Sequence, residues 1–281
     1  MTLPAIWPSY ARMLLGRRPA VAPPGHRVDG AVLEASDVVP PPAELAAYRA
    51  VCGFRGAGAL PLTYPHALAN PLHLALITGP RFPVRFLGLV HLRNTIQVHR
   101  PLPDREPLDL RCAIEGPRDT ERGQEYDLVT EVRHDGELAW REVAVLLARA
   151  PGAGGGGKKA PPPAAAGAPP APLARWELPA DQGRRYASAS GDWNPIHLSG
   201  PTARLFGFPR AIVHGMWSLA RSVAELGVPE GACTVETAFK LPVLLPGAVT
   251  LHATRDGGRT AFALRDGDGV KPHLTGTIQP G

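Results

Sequence analysis

The sequence predicts an α+β fold in which antiparallel strands wrap helices, and it predicts that arrangement twice. Three observations carry this. Residues 151–172 are almost entirely Gly, Pro and Ala, with Lys158 and Lys159 as the only charges. Such a segment cannot bury enough surface to offset its ordering entropy, so it reads as a linker between two halves. On each side of it, helical apolar spacing is followed by two-residue alternation. Finally, 281 residues suffice for two modest domains, each with its own core.

The elements follow in order. Residues 1–25 read as an arm. Pro4 and Pro8 break the stretch from Met1 to Arg18, which has no continuous apolar core before a cleavage site and so does not read as a signal peptide. Ile6 to Leu15 reads as a short amphipathic helix that docks on the body. In the first half, residues 26–150, Pro41 to Cys52 has helical spacing (Leu45, Ala46, Val51) behind the acidic first-turn residue Glu44. A second apolar helix runs from Pro71 to Thr78. Strands come next. Val90, Leu92, Ile96 and Val98 alternate with His91, Arg93, Thr95, Gln97 and His99, placing His91 and His99 on a solvated face. Leu108, Leu110 and Cys112, then Tyr126, Leu128 and Val132, continue the meander. Residues 173–281 repeat the order: a helix over Asp181 to Ser190, a stronger one over Met216 to Leu226, and strands from Val235 through Val249, Leu251 and Ala253. Gly267 to Gly269 reads as a hairpin turn.

Composition narrows the function classes. Apolar content of 44% with 20% charged residues is ordinary for a globular protein. The net charge of +5 suits an anionic ligand, although basic residues that are nearly all Arg amid abundant Ala, Gly and Pro also fit a GC-rich coding sequence. No Lys/Arg stripe interleaved with aromatics marks a nucleic-acid face. No stretch approaches the roughly 20 apolar residues of a membrane span. Cys52, Cys112 and Cys233 are single and scattered, which fits neither a disulfide framework nor a zinc site and favours a reducing cytoplasm. His66, His73, His91 and His99 have no ligand spacing, so no metal is expected.

The chemistry concentrates between Tyr186 and Met216. Tyr-Ala-Ser-Ala-Ser-Gly-Asp-Trp-Asn-Pro-Ile-His is followed by Gly-Phe-Pro-Arg-Ala-Ile-Val-His-Gly-Met. A carboxylate (Asp192), an imidazole (His197) and a glycine at a helix start (Gly215) are what proton transfer beside an activated carbonyl requires: an acid/base pair and a backbone donor for an oxyanion. Asn194 before Pro195 is a good cap for a short helix through His197, and its amide is placed to hold the Asp192 loop. Gly215 serves equally for close packing of helix on sheet. His214, beside the cap, reads as locally hydrogen-bonded. Ser188 and Ser190 lack a Gly-x-Ser-x-Gly elbow, which argues against a serine hydrolase.

Ser190-Gly191-Asp192-x-Asn194-Pro195-x-His197, with Ala203, Gly207-Phe208, Ile212 to Met216 and Phe239 to Val243 at matching separations, resembles the MaoC-like family of (R)-specific enoyl-thioester hydratases and 3-hydroxyacyl-thioester dehydratases. The resemblance is close over residues 173–281 and looser before them. It implies two hotdog folds, each a curved sheet around a central helix, packed as a pseudo-dimer. It implies a hydro-lyase of fatty-acid metabolism that needs no cofactor and acts on coenzyme A or acyl-carrier-protein thioesters, with Asp192 and His197 catalytic and Gly215 in the oxyanion hole. Ser190, Gly191, Asn194 and Pro195 would support the site. Tyr186, Trp193, His214 and Arg210 would face the substrate, and Arg184, Arg185 and Arg204 also flank the motif. A homodimer is compatible with this reading. Setting Tyr48 beside Tyr186 and Cys52-Gly53 beside Ser190-Gly191 puts Phe54 opposite Asp192, Gly56 opposite Asn194 and Ala59 opposite His197. The first half is therefore expected to be a non-catalytic copy that walls the acyl tunnel. A hotdog thioesterase is the alternative enzyme, against which the His197 partner and the Asn-Pro turn argue. A non-catalytic acyl-thioester-binding subunit of a heteromer is the other alternative, against which the intact pair argues.

Overall fold

The computed structural model describes residues 3–28, 30–152, 171–228 and 231–281. Most of the predicted linker, residues 153–170, lies outside these. The elements run α1 (Trp7–Leu15), β1 (Val32–Val38), α2 (Pro42–Cys52), α3 (Tyr64–Leu68), α4 (Asn70–Thr78), β2 (Leu89–Val98), β3 (Leu108–Thr120), β4 (Gly123–His134) and β5 (Glu137–Arg149). After the linker come β6 (Ala174–Leu178), α5 (Gln182–Ser190), a 3-10 turn (Pro195–His197), α6 (Gly200–Arg204), α7 (Gly215–Leu226), β7 (Cys233–Phe239), β8 (Gly247–Asp256), β9 (Arg259–Asp266) and β10 (Pro272–Pro280).

All ten strands form one sheet in the order β1-β3-β4-β5-β2-β7-β10-β9-β8-β6. Adding five to each strand number converts one half into the mirror order of the other, so the halves are two copies of one fold. They join edge to edge where β2 pairs antiparallel with β7, Ile96 opposite Val235, both fully buried. The seam removes two strand edges that separate copies would expose. α7 lies inside its half of the sheet with Met216, Trp217, Ser218, Leu219, Ala220, Ser222, Val223 and Leu226 all buried. Its two buried serines turn their hydroxyls back onto the helix, Ser218 to the His214 carbonyl and Ser222 to the Ser218 carbonyl, while Arg221 and Glu225 lie on the one less buried face. α4 is the shorter counterpart. The equivalent helices α2 and α5 meet across the pseudo-twofold, where the Tyr48 and Tyr186 rings pack tilted at 51° with centroids 5.8 Å apart. The Trp217 indole donates to the Val51 carbonyl at 2.9 Å, tying α7 to α2. One apolar core runs through both halves. This is the double hotdog arrangement.

Three expectations need correction. The buried face of α2 is Leu45, Tyr48 and Cys52, whereas Ala46 is exposed and Val51 half-buried. β1 and β6 were not anticipated. They are short outer strands exposed on most of one face, so they lack the apolar alternation that betrays a strand. His91 is not solvated. The β2–β5 register shifts between His91 and Arg93, and this irregularity turns His91 to the same side as Asn94, with Nε2 and Nδ2 3.5 Å apart. His99 is exposed as expected. The arm helix α1 does dock, burying Tyr10 and Met13.

Candidate active site

The site begins where α5 ends. Ser190 Oγ donates to the Tyr186 carbonyl at 2.9 Å and accepts from the Asp192 N–H at 3.3 Å. Gly191 takes a left-handed conformation (φ 72°), which ends the helix and turns the chain back. Asp192 Oδ1 accepts from the Asn194 N–H at 3.2 Å, and Asn194 Oδ1 accepts from the Ile196 N–H at 3.4 Å. Asn194 is thus the cap of the 3-10 turn that Pro195 opens and His197 closes. The Asn194 group that holds the Asp192 side chain is its backbone N–H rather than its amide.

His197 is buried and its tautomer is fixed. Nδ1 sits 2.8 Å from the Ile212 carbonyl, an acceptor only, so Nδ1 carries the proton and Nε2 the lone pair. Burial, reinforced by neighbouring His214, pushes its pKa down to about 3, so the ring is neutral near pH 7. His214 is the N-cap residue of α7, and its Nε2–H donates to the Asp192 carbonyl at 3.0 Å. Burial also lowers its pKa to about 3. The two imidazoles stack 3.6 Å apart at 26°. Ligand-type atoms of Asp192, His197 and His214 lie within 4.8 Å of one another. That set could in principle take a metal ion. Face-to-face rings, each donating one N–H to a backbone carbonyl, are held as acid/base groups are held, and no step below depends on a metal. The Asp192 side chain keeps 36% exposure, so the pair is reachable from outside.

Gly215 opens α7 directly after His214, and no side chain caps the helix, so its first N–H groups have no intrahelical acceptor. The glycine also packs closely: a Cβ there would lie 3.0 Å from Phe239 Cε1, so that ring would have to give by a few tenths of an ångström. Any oxyanion role therefore rests on the N–H and not on the residue type. Tyr186 is buried between Tyr48 and the His214 ring, 4.8 Å away. Trp193 is half-buried against the core. The arginines are less available than expected. Arg210 donates to the Pro246 carbonyl, Arg184 to Leu198, Arg204 to Pro209, and Arg185 pairs with Asp181, all at the surface.

Several site groups escaped the sequence reading. Gly183 lies so close to the His197 backbone that a Cβ would meet its carbonyl oxygen at 2.0 Å. A glycine inside a helix was the one signal that could have marked it. Tyr10, from the arm, contacts the loop at Gly191 and Trp193. The first half also contributes a buried polar cluster. His66 Nδ1 lies 2.7 Å from Glu142 Oε2, Asn94 Nδ2 donates to Glu142 Oε1 at 2.6 Å, and His73 and His91 lie 4.9 and 6.3 Å from the His66 ring. Asn94 reaches Met216, the second residue of α7, with Nδ2 3.7 Å from Sδ. Burial works against charging His66, but the charge and hydrogen bond of Glu142 outweigh it and raise its pKa. The first half has lost the motif but is not chemically blank.

A sequence profile described as a MaoC like domain matches residues 163–276. Over 281 residues the chain is 35% identical to the 3-hydroxyacyl-thioester dehydratase X of Mycobacterium tuberculosis, covering 99% of each. The chain belongs to the MaoC-like dehydratase family. A crystal structure of HtdX from the same organism superposes on it with a TM-score of 0.78 at 34% identity, covering 89% of this chain and all of that one. The peroxisomal enoyl-CoA hydratase 2 of Arabidopsis thaliana is 28% identical over 213 residues, 68% of this chain and 67% of that protein. For a MaoC-like protein the loop 190–197 is the expected place for chemistry, and it is where the structure gathers Asp192 and His197.

Proposed function

We propose that this MaoC-like protein is an (R)-specific 3-hydroxyacyl-thioester dehydratase and enoyl-thioester hydratase of fatty-acid metabolism, acting through Asp192 and His197. The observation that carries the proposal is their convergence at the uncapped start of α7, with His197 Nε2 left as a free lone pair. In the hydration direction, water adds across the Cα=Cβ bond. Oxygen bonds to Cβ, one proton of the water is taken up by the pair, and a proton is returned to Cα as the enolate collapses. Dehydration is the reverse. Asp192 and His197 hold the same water and the same proton inventory, so they act as a coupled pair. A pair so placed contributes on the order of 10²–10⁴-fold. The thioester oxygen gains negative charge in the enolate, and the Gly215 N–H at the positive end of α7 is the donor for it. Names and coverage of the M. tuberculosis and A. thaliana relatives support the same reaction.

The carrier is coenzyme A or an acyl carrier protein; Arg184 and Arg210 are exposed beside the motif, each donating to a backbone carbonyl. No cofactor is required by this chemistry. Residues 26–150 form the non-catalytic copy and 173–281 the catalytic one, with 1–25 as the arm. Three free cysteines, all buried, suit a reducing cytoplasm. Among the described residues no helix is long and apolar enough to cross a membrane.

The test mixes the purified protein with crotonyl- and dodecenoyl-coenzyme A while following the enoyl-thioester absorbance, alongside Asp192→Asn and His197→Gln. The expected result is loss of the band with wild type and none with either variant. Loss of the band matched by an equal release of free thiol would replace this reading by thioester hydrolysis.

A further inference from the structure

The loop that carries Asp192 is held by a residue from the far end of the chain. Tyr10 Oη donates to the Gly191 carbonyl at 3.1 Å and accepts from the Trp193 N–H at 2.6 Å. These are the peptide groups immediately before and after Asp192, and one hydroxyl bridges both across more than 180 residues of sequence. The other backbone groups of the loop are also taken. Asp192 N–H goes to Ser190 Oγ, Asp192 C=O receives His214 Nε2–H, and Gly191 N–H goes to the Ala187 carbonyl. Without the Tyr10 hydroxyl, a carbonyl and an N–H on either side of Asp192 would lose their partner.

The arm that presents Tyr10 is fastened along its length. Tyr10 and Met13 are buried in the core cluster, with Ser9 buried beside them. Arg12 donates to Thr78 Oγ1 at 3.4 Å and to Ser9 Oγ at 2.9 Å, and Arg18 donates to the Thr78 carbonyl at 2.9 Å, so α1 is tied to the end of α4. Further on, the Ala22 N–H and carbonyl both engage the Gln124 side chain. The phenol is a donor under all ordinary conditions, because burial, and then the charge of Asp192, raise its pKa. An isolated copy of the second half would have the motif without this brace.

We propose that Tyr10 is a positioning residue for the hydration reaction, its hydroxyl holding the two peptide groups that flank Asp192 so that the carboxylate stays aimed at the substrate. The proposal rests on the functional reading above and adds to it a residue outside the motif and outside the catalytic half. Tyr10 touches the loop and not the acyl chain, so it governs an interaction made in the transition state more than ground-state binding. Loss of such an interaction lowers kcat and kcat/KM together and leaves KM alone.

The test compares Tyr10→Phe with wild-type full-length protein, and with Tyr126→Phe as a control. Tyr126 is also buried, and its hydroxyl donates at 3.2 Å to Gln124, which fastens the arm at Ala22 and does not touch the loop. Three quantities are read: enoyl-thioester hydration kinetics, thermal midpoint, and amide hydrogen exchange over residues 191–198. Tyr10→Phe is expected to lower kcat on the order of tenfold to a hundredfold, since an error near 1 Å in a catalytic group has that effect. KM should change by no more than about twofold. Exchange should rise in the loop, with a thermal midpoint no lower than that of Tyr126→Phe. An unchanged kcat, an unchanged loop exchange, or an equal kcat loss in Tyr126→Phe would each overturn the proposal. If wild type proves inactive on enoyl thioesters, the functional reading falls by itself, and the exchange comparison still decides whether Tyr10 holds the loop.

Discussion

Replacing Gly183 by Ala adds one methyl group to the interior of α5, and in a solvent-facing helix that change stabilises by about 0.8–1 kcal/mol. Here the structure requires the opposite. The new Cβ would fall 2.0 Å from the His197 carbonyl oxygen, 3.0 Å from its carbonyl carbon and 3.4 Å from its Cα. Atoms in ordinary contact sit near 3.5 Å, so α5 and the 3-10 turn must part by on the order of 1 Å. All three of these atoms are backbone, so no side chain can swing aside. The 2.8 Å bond from His197 Nδ1 to Ile212 stretched by that amount is no longer a hydrogen bond, and the imidazole loses its aim. Overpacking of this kind costs about 1–3 kcal/mol, which cancels or exceeds the helix-propensity gain. A misplacement near 1 Å lowers kcat on the order of 100-fold. The assay is hydration of a short enoyl thioester with a thermal melt on the same samples. Gly200→Ala is the control, because nothing lies within 4 Å of a Cβ there. Wild-type kcat with a raised melting point in Gly183→Ala would refute the argument, showing that the helix and the turn part without disturbing His197.

Glu142 is fully buried and accepts from both His66 and Asn94, so Glu142→Gln should destabilise the fold by about 3 kcal/mol, the scale of a broken buried pair, read as a lower urea midpoint; a loss under about 1 kcal/mol would mean the pair carries no net weight. His73, His197 and His214, driven down to about 3, and His91, to about 4, chiefly by burial, stay neutral in the fold while the unfolded chain takes up protons near pH 6.5. Their stabilisation is complete above pH 6.5 and lost as pH falls toward 4, each by up to about 1.4 kcal/mol per pH unit; His66, whose pKa is raised, changes stability only above pH 6.5 and leaves this loss unopposed. The urea midpoint should therefore fall steeply between about pH 6.5 and 5; a flat profile there would contradict the burial of these rings. Ser190→Ala removes the acceptor of the Asp192 N–H and should lower kcat about tenfold with little change in the melting point, checked by the same two assays.

The legible parts of this molecule are those written locally. The Asn194-Pro195 pair dictates an extended residue followed by a helical turn, and the structure has that turn, capped by Asn194. The central helix α7 was visible because Met216, Trp217, Leu219, Ala220, Val223 and Leu226 recur at helical spacing and are buried. β1 and β6 were not, because an edge strand with one exposed face leaves too few apolar positions to alternate. His91 was misplaced because a strand irregularity two residues long reverses the face that alternation assigns, and alternation carries no record of it.

The sequence alone therefore determined the repeated α+β order, the loop that holds a carboxylate and an imidazole within five positions of each other, and the family they resemble. All three depend on backbone geometry and periodicity over a few residues. Only the tertiary structure decided what surrounds that loop: Tyr10 bridging its peptides, Gly183 making room for His197, and His66, Glu142 and Asn94 gathered behind α7. These contacts arise when β2 closes on β7 and the two halves share one core. Partners brought together by sheet closure lie far apart in the chain, and no spacing or periodicity ties them, so the sequence holds their identities but not their meeting.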